Sequence, residues 1–237
     1  DQLIIKPFKN HQTMIPRLQK ALSEFTGTFA LVFFGTGAVV VNTAYSAAGS
    51  EPIGHLGISL TFGSIVALMV YMFGPISGAH INPAVTLSFW LKRQISAMDS
   101  LFYVIAQFAG AFVASLSIHI LFPEDRNLGM TTISVLEWKA FALEVFLTFM
   151  LMITIFRILA VESNRLLTGV VIGGIIFIEA LVAGPITGAS MNPARSFGPA
   201  AVLGEYTHFW IYVTAPLIGA AIATFFDRLY VLVTNQS

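Results

Sequence analysis

The residues in this chain most suited to specific chemistry form two Asn-Pro-Ala triplets that stand 110 positions apart. The first triplet is Asn82, Pro83 and Ala84, and the second is Asn192, Pro193 and Ala194. Each closes an 11-residue segment, GPISGAHINPA at 74–84 and GPITGASMNPA at 184–194, and eight of the eleven positions are identical. An asparagine amide can donate a hydrogen bond to the oxygen of a water molecule or a hydroxyl group. The repeat therefore places two such donors in equivalent surroundings.

Each triplet also predicts the start of a short helix. Asparagine is a favoured helix cap, and proline suits the first helical turn. The apolar pieces that follow, Ala84–Leu91 and Ala194–Leu203, are too short to cross a bilayer. We expect two half-helices that enter the membrane and stop inside it. The small alanines allow their first turns to approach each other closely.

The composition favours a membrane around these elements. Hydrophobic residues make up 56% of the 237 positions and charged residues only 10%, against about 25% charged in a typical soluble domain. The net charge is zero, which excludes a basic nucleic-acid footprint. The chain has no cysteine, which excludes disulfides, Cys-ligated zinc and a thiol nucleophile. A large soluble protein with buried helices is the alternative.

Six apolar stretches have about the length that a membrane-spanning helix needs. They run over Ala21–Val41, Ile53–Phe73, Leu101–Leu121, Phe141–Ala160, Leu166–Ala183 and Phe209–Val231. Because an isolated strand cannot satisfy its backbone in lipid, each stretch is predicted to be a helix.

Basic residues set the expected orientation. With the N-terminus inside, nine Lys and Arg residues fall in cytoplasmic segments and two in outer segments, with Arg195 set aside. We therefore expect both termini in the cytoplasm, and a multi-pass protein of the plasma or inner membrane. No signal peptide is expected, since residues 1–17 lack a compact apolar core.

The two halves form an inverted repeat. A second match, between 21–29 and 141–149, gives Glu24 and Glu144 equivalent places. Each half, about 18–122 and 137–231, holds three spans and one half-helix, so the second half has the opposite orientation. Together they make one channel domain over 18–231, between an N-terminal segment (1–17) and a tail (232–237).

This arrangement points the two half-helix N-termini at each other near the membrane midplane. Each N-terminus carries a partial positive charge. Facing one another in a low dielectric, they repel cations and disfavour proton transfer along a file of water molecules.

With these two motifs, the chain resembles an aquaporin, a member of the major intrinsic protein family. The resemblance rests on SGAHINPAVT at 77–86 and GASMNPARSFGP at 188–199, and it covers 18–231. It implies a right-handed bundle of six helices, two half-helices that meet at the centre, and a homotetramer with one pore per subunit in membrane lipid. The stretch 183–195 is most similar to the plant nodulin-like intrinsic proteins and their bacterial relatives, which pass water, glycerol and undissociated metalloid hydroxides.

The resemblance also implies a selectivity filter at Phe62, Ala180, Ala189 and Arg195. Water-specific channels usually have histidine where this chain has Ala180, so we expect a wider and more apolar constriction. Glycerol facilitators usually have aspartate after the filter arginine, whereas this chain has Ser196.

Three kinds of supporting residue are expected. By the family register, Glu24 and Glu144 would be buried and would accept backbone N–H groups of the half-helix loops. Glu179 would either be buried and paired with a neighbouring helix or outer loop, or stand at the pore edge, where it would compensate for the missing histidine or pair with Arg195. His80 would either brace a loop or sense pH.

The leading functional hypothesis is a passive pore for water and small uncharged solutes that excludes protons and ions. The alternative is a strictly water-selective pore. An ion channel, a coupled transporter, a membrane enzyme and a structural membrane protein are less favoured by these motifs. We expect no cofactor, no metal site and no nucleic-acid partner.

Overall fold

The computed structural model describes residues 15–46 and 51–234. Within these ranges the chain forms eight α-helices and no strand. The helices are α1 (Arg17–Ala44), α2 (Gly54–Ser77), α3 (Pro83–Leu91), α4 (Ala97–Leu121), α5 (Glu137–Val161), α6 (Arg165–Thr187), α7 (Pro193–Leu203) and α8 (Phe209–Thr234).

Six of these helices are long and apolar enough to span a membrane, and α3 and α7 are the two short ones. Five of the six long helices cover their predicted apolar stretches, and α2 begins one residue after its predicted start. Each long helix extends by about a turn at one end at least. The helix α8 runs through Thr234, so 232–234 are helical. Most of the N-terminal segment, 1–14, lies outside the described residues.

The outer surface of the bundle is apolar, as a lipid environment requires. Large hydrophobic side chains such as Ile120, Val182 and Phe225 are 66–71% exposed. Polar and charged side chains such as Glu24, Gln107 and Arg195 are buried instead. This reverses the pattern of a soluble domain.

Small residues bring the spanning helices into backbone contact. A Cβ atom on Gly63 of α2 would lie 2.6 Å from the carbonyl oxygen of Gly173 of α6. In the same way Gly110 of α4 lies against the backbone of α1, and Gly219 of α8 against that of α5. These glycines allow the close crossings that pack helices in membranes, where no hydrophobic effect drives association.

The packing follows the inverted repeat. Helix α1 packs on α4 and α5 packs on α8, while α2 and α6 pack on each other across the centre. Each half-helix packs mainly on a spanning helix of the other half, α3 on α8 and α7 on α4. Each half-helix therefore rests on a spanning helix of both halves.

Two faces of the bundle are named from this topology. Because six spans alternate in direction, the start of α1 and the end of α8 share one face, called here the terminal face. The connections between α1 and α2, α4 and α5, and α7 and α8 lie at the opposite face.

Candidate channel and filter

The two Asn-Pro-Ala triplets begin the half-helices as their residue types predict. Asn82 is the cap of α3, and its side-chain oxygen accepts the N–H of Ala84 at 2.8 Å. Asn192 is the cap of α7 and accepts the N–H of Ala194 at 3.0 Å. Pro83 and Pro193 occupy the first helical position.

The asparagine amides also connect the two half-helices. The Nδ2 of Asn82 donates to the carbonyl of Met191 at 2.8 Å, and the Nδ2 of Asn192 donates to the carbonyl of Ile81 at 2.9 Å. Each amide group uses one of its two hydrogens in this way and keeps the other for a further acceptor. The side chains of Ala84 and Ala194 are fully buried.

The loops before the half-helices adopt an unusual backbone conformation. Ala79 and Ile81 have φ of 48° and 45°, and Ala189 and Met191 have φ of 42° and 51°. Left-handed backbone is costly in residues with a side chain and persists only where the surroundings impose it.

Buried glutamates hold both loops in this conformation. The carboxyl group of Glu24 accepts the N–H of His80 at 2.9 Å and that of Ile81 at 2.6 Å. It also accepts the hydroxyl of Ser77 at 2.7 Å and the amide of Gln107 at 2.8 Å.

The second half repeats this arrangement. Glu144 accepts the N–H of Ser190 at 2.9 Å, the N–H of Met191 at 2.8 Å and the hydroxyl of Thr187 at 2.8 Å. Both glutamates have no exposed surface. Buried carboxyl groups with this many donors are satisfied, so they stabilise the loops instead of straining the core.

A cavity of about 1050 Å³ extends from the terminal face into the bundle, past both loops, as far as Arg195. Its wall includes Asn82 and Asn192, and it reaches Arg17, Lys20 and Arg165 at the terminal face. The other wall residues in its middle part are mainly apolar, including Leu31, Val66, Ile172 and Ile176. A polar pair in an otherwise apolar passage is suited to a solute that makes few hydrogen bonds at a time.

The four predicted filter residues all line this cavity. They are Phe62, Ala180, Ala189 and Arg195, each 5–9% exposed. The guanidinium carbon of Arg195 lies 5.2 Å from the centre of the Phe62 ring. Its Nη1 donates to the carbonyl of Gly129 at 2.9 Å. Ala180 offers only a methyl group, so the wall on that side is recessed and apolar.

His80 lies in the cavity wall on the α3 side and is 7% exposed. Its Nδ1 is 3.1 Å from the hydroxyl of Thr86, and its ring stacks on Phe89 with centroids 4.6 Å apart. These contacts are those of a bracing residue, one of the two roles considered from the sequence.

Glu179 is buried, as one of the two roles considered for it requires, but its carboxyl group has no partner in the described part of the chain. It is 5% exposed, neither of its carboxyl oxygens has a hydrogen-bond partner among the described residues, and it does not line the cavity. The predicted pairing with a neighbouring helix or loop is therefore absent there.

Several residues in and around the cavity were not singled out from the sequence. Tyr103 and Tyr212 donate to the carbonyls of Ser77 and Thr187, at 2.7 and 2.8 Å, and so brace the two half-helix loops equivalently. Both lie in the first two turns of an apolar helix, α4 and α8, and these positions gave no signal for a bracing role.

An ion cluster at the terminal face was also missed. Asp227 of α8 is 2% exposed and is paired with Lys92, at 2.5 Å, and with Arg157. The three residues come from separate parts of the chain, so only the folded structure brings them together.

Six apolar spans around a cavity with a polar midpoint define a membrane channel. The major intrinsic protein family model matches residues 11–227, and the chain belongs to this family. It is therefore an integral, multi-pass channel protein and not an enzyme.

Similar proteins agree with this assignment. The chain is 41% identical to a putative aquaporin, NIP4-1 of Arabidopsis thaliana, over 85% of this chain and 70% of that protein. It is 39% identical to nodulin-26 of Glycine max, over 87% and 75% of the two chains. The resemblance to nodulin-like intrinsic proteins is thus confirmed. The fold matches the X-ray structure of the aquaglyceroporin from Plasmodium falciparum with a TM-score of 0.83, 24% identity, and coverage of 94% of this chain and 100% of the other.

Proposed function

We propose that this protein is a passive pore for water and for uncharged solutes of the size of glycerol, and that it excludes protons and ions. The observation that carries the proposal is the paired donation of Asn82 and Asn192 inside one continuous cavity. One free amide hydrogen on each side gives a passing oxygen atom two donors at the point where both half-helices begin.

Exclusion of ions follows from the same point. The N-termini of α3 and α7 meet there, and each carries a partial positive charge in a low dielectric. Arg195 adds a full positive charge at the filter. Cations, including hydronium, therefore meet an electrostatic barrier that neutral solutes do not.

The width of the filter favours polyols over water alone. Phe62, Ala180, Ala189 and Arg195 are proposed as its walls, and the methyl group of Ala180 leaves space that an imidazole would occupy. Arg195 and the backbone carbonyls offer hydrogen bonds to solute hydroxyls. Uncharged metalloid hydroxides such as boric acid have a similar size and the same kind of surface. The strictly water-selective alternative is not favoured.

We further propose a homotetramer in the plasma or inner membrane, with both termini in the cytoplasm. The excess of Lys and Arg at the terminal face supports this orientation. The channel domain spans residues 18–231, and the two halves act as one unit.

The test is stopped-flow light scattering of proteoliposomes, with water, glycerol and boric acid permeability measured in parallel and empty liposomes as the control. The proposal predicts that all three exceed the empty-liposome rates and depend only weakly on temperature, as expected for a pore. Rates equal to those of empty liposomes for all three solutes would contradict it.

A further inference from the structure

The loop between α4 and α5, residues 122–136, contacts the filter at two points. The carbonyl oxygen of Gly129 accepts a hydrogen bond from Nη1 of Arg195 at 2.9 Å. Two residues later, the hydroxyl of Thr131 donates to the hydroxyl of Ser196 at 2.9 Å. Ser196 follows Arg195 directly in α7. The loop segment 129–131 is therefore hydrogen-bonded to two neighbouring residues of α7, one of which is the filter arginine.

The contact at Ser196 continues into the loop before α7. The Oγ atoms of Ser196 and Ser190 are 2.6 Å apart, and Ser190 donates to the carbonyl of Asn192 at 3.0 Å. A hydroxyl group has one hydrogen to donate. Because Thr131 donates to Ser196 and Ser190 donates to Asn192, Ser196 must donate to Ser190. The chain of donors therefore runs in one direction, from the α4–α5 loop to the asparagine at the channel midpoint.

These hydroxyls are shielded from bulk solvent. Thr131 is 6% exposed, Ser190 4% and Ser196 1%. A buried hydroxyl that loses its partner costs free energy, so each link holds the next in place. The methyl group of Thr131 also packs tightly against the backbone of Gly188, where an added Cβ would lie 3.0 Å from it.

We propose that Thr131 is a positioning residue for the filter, acting through Ser196 and Gly129 to hold Arg195 at the cavity wall, and thereby sets the largest solute that passes. Without the Thr131–Ser196 link, the only remaining contact of the loop with this part of the filter is the hydrogen bond from Arg195 to the Gly129 carbonyl. The guanidinium group then spends more time away from the cavity wall. Solutes wider than glycerol then gain most, while water, which already fits, gains little. This inference rests on the proposed channel function.

The loop does not depend on Thr131 to fold. Ser134 donates its N–H to the carbonyl of Ile186 at 2.9 Å and its hydroxyl to the carbonyl of Pro185, also at 2.9 Å. Asp125 accepts the N–H groups of Asn127 and Leu128 at 2.8 and 2.6 Å. Leu128 is fully buried. Ser134→Ala therefore serves as a matched control, because it cuts a hydroxyl contact of the same loop that does not lead to Arg195.

The experiment compares xylitol, glycerol and water permeability of proteoliposomes containing wild type, Thr131→Val, Thr131→Ser or Ser134→Ala. Valine keeps the shape of threonine and removes the hydroxyl, whereas serine keeps the hydroxyl and removes the methyl. We expect Thr131→Val to raise the xylitol-to-water permeability ratio about fivefold, the effect of losing one buried hydrogen bond. Thr131→Ser and Ser134→Ala should match wild type.

Ser196→Ala cuts the same link from the α7 side and is the second variant if Thr131→Val is not recovered as folded protein. It should raise the ratio at least as much, because it also removes the hydrogen bond to Ser190. Adding Thr131→Val to Ser196→Ala should then change the ratio little further, since the link between the two hydroxyls is already lost.

Two results would overturn the inference. A xylitol-to-water permeability ratio of Thr131→Val equal to that of wild type would exclude a positioning role. A parallel loss of xylitol, glycerol and water permeability would indicate a general structural role instead. Failure of the proposed function is separate, since wild type itself would then conduct neither water nor glycerol.

Discussion

Asn82 and Asn192 each donate a side-chain hydrogen to the backbone carbonyl that precedes the other, at distances of 2.8 Å to Met191 and 2.9 Å to Ile81. The two halves of the chain are thus joined at the midpoint by reciprocal bonds. The same asparagines begin the half-helices. Each therefore caps its helix, joins the two loops and, in the proposed function, donates a hydrogen bond to the solute.

Replacing either asparagine by aspartate tests the electrostatic role of this midpoint. Aspartate is an equally good helix cap, so the half-helix should persist, but the amide donor is lost and a negative charge is placed at two helix N-termini. Asn82→Asp and Asn192→Asp are each expected to admit monovalent cations, to similar extents because the sites are equivalent. Cation flux into proteoliposomes measures this, and tight exclusion in both variants would contradict the barrier described above.

The buried glutamates give a stability prediction. Glu24→Gln turns an amide N–H₂ toward backbone donors such as the N–H of Ile81, so satisfied bonds become repulsive contacts. The cost should be about 3 kcal/mol, with a clear fall in the melting temperature in detergent. Glu144→Gln should behave alike, since it holds the second loop in the same way. A melting temperature equal to wild type would show that the loops are held by other contacts.

The filter can be altered from behind without touching a wall residue. A Cβ atom on Gly35 of α1 would lie 2.6 Å from Cδ1 of Phe62 and 2.8 Å from its Cζ. Gly35→Ala is therefore expected to push the ring into the cavity and lower glycerol permeability more than water permeability. Gly37→Ala is the matched control, because its nearest neighbour, Cδ1 of Ile118, is at an ordinary 3.9 Å. Equal behaviour of the two variants in stopped-flow measurements would contradict this placement of Phe62.

Glu179 precedes the filter residue Ala180 in the chain but does not line the cavity, so its substitution should leave the filter unchanged. Glu179→Gln removes an ionisable group without a hydrogen-bond partner among the described residues. We expect unchanged glycerol-to-water selectivity and a melting temperature at or above that of wild type. Glu144→Gln, which replaces one of the two acceptor oxygens by an N–H₂ donor facing backbone or hydroxyl donors, is the comparison in the same thermal assay. A changed selectivity ratio would instead assign Glu179 to the pore edge.

The spans and half-helices were predictable because their signals are local. Length and hydropathy predict a membrane-spanning helix, and Asn-Pro predicts a helix start, as α3 and α7 confirm. The helices exceed the apolar stretches because polar residues such as Arg17 and Glu137 continue the backbone hydrogen bonding past the apolar core.

Contacts between distant segments were not predictable in the same way. Asp227 meets partners 70 and 135 positions away, and Thr131 meets Ser196 across 65 positions. Both depend on the packing of helices that are far apart in sequence, and serine and threonine are too common to mark such a contact. The partner expected for Glu179 is not found among the described residues for a related reason, since an intramembrane carboxyl usually has a partner and its neighbours are set only by the fold.

We propose that the small side chain at Ala180 makes the filter wide enough for polyols. The most direct measurement is the glycerol and water permeability of wild type and Ala180→His in the same lipid by stopped-flow light scattering. The account predicts fast water and fast glycerol in wild type, with glycerol permeability lost and water retained in the variant. Fast water with glycerol at the empty-liposome rate in wild type would contradict it, and would mean that another group narrows the space beside Ala180.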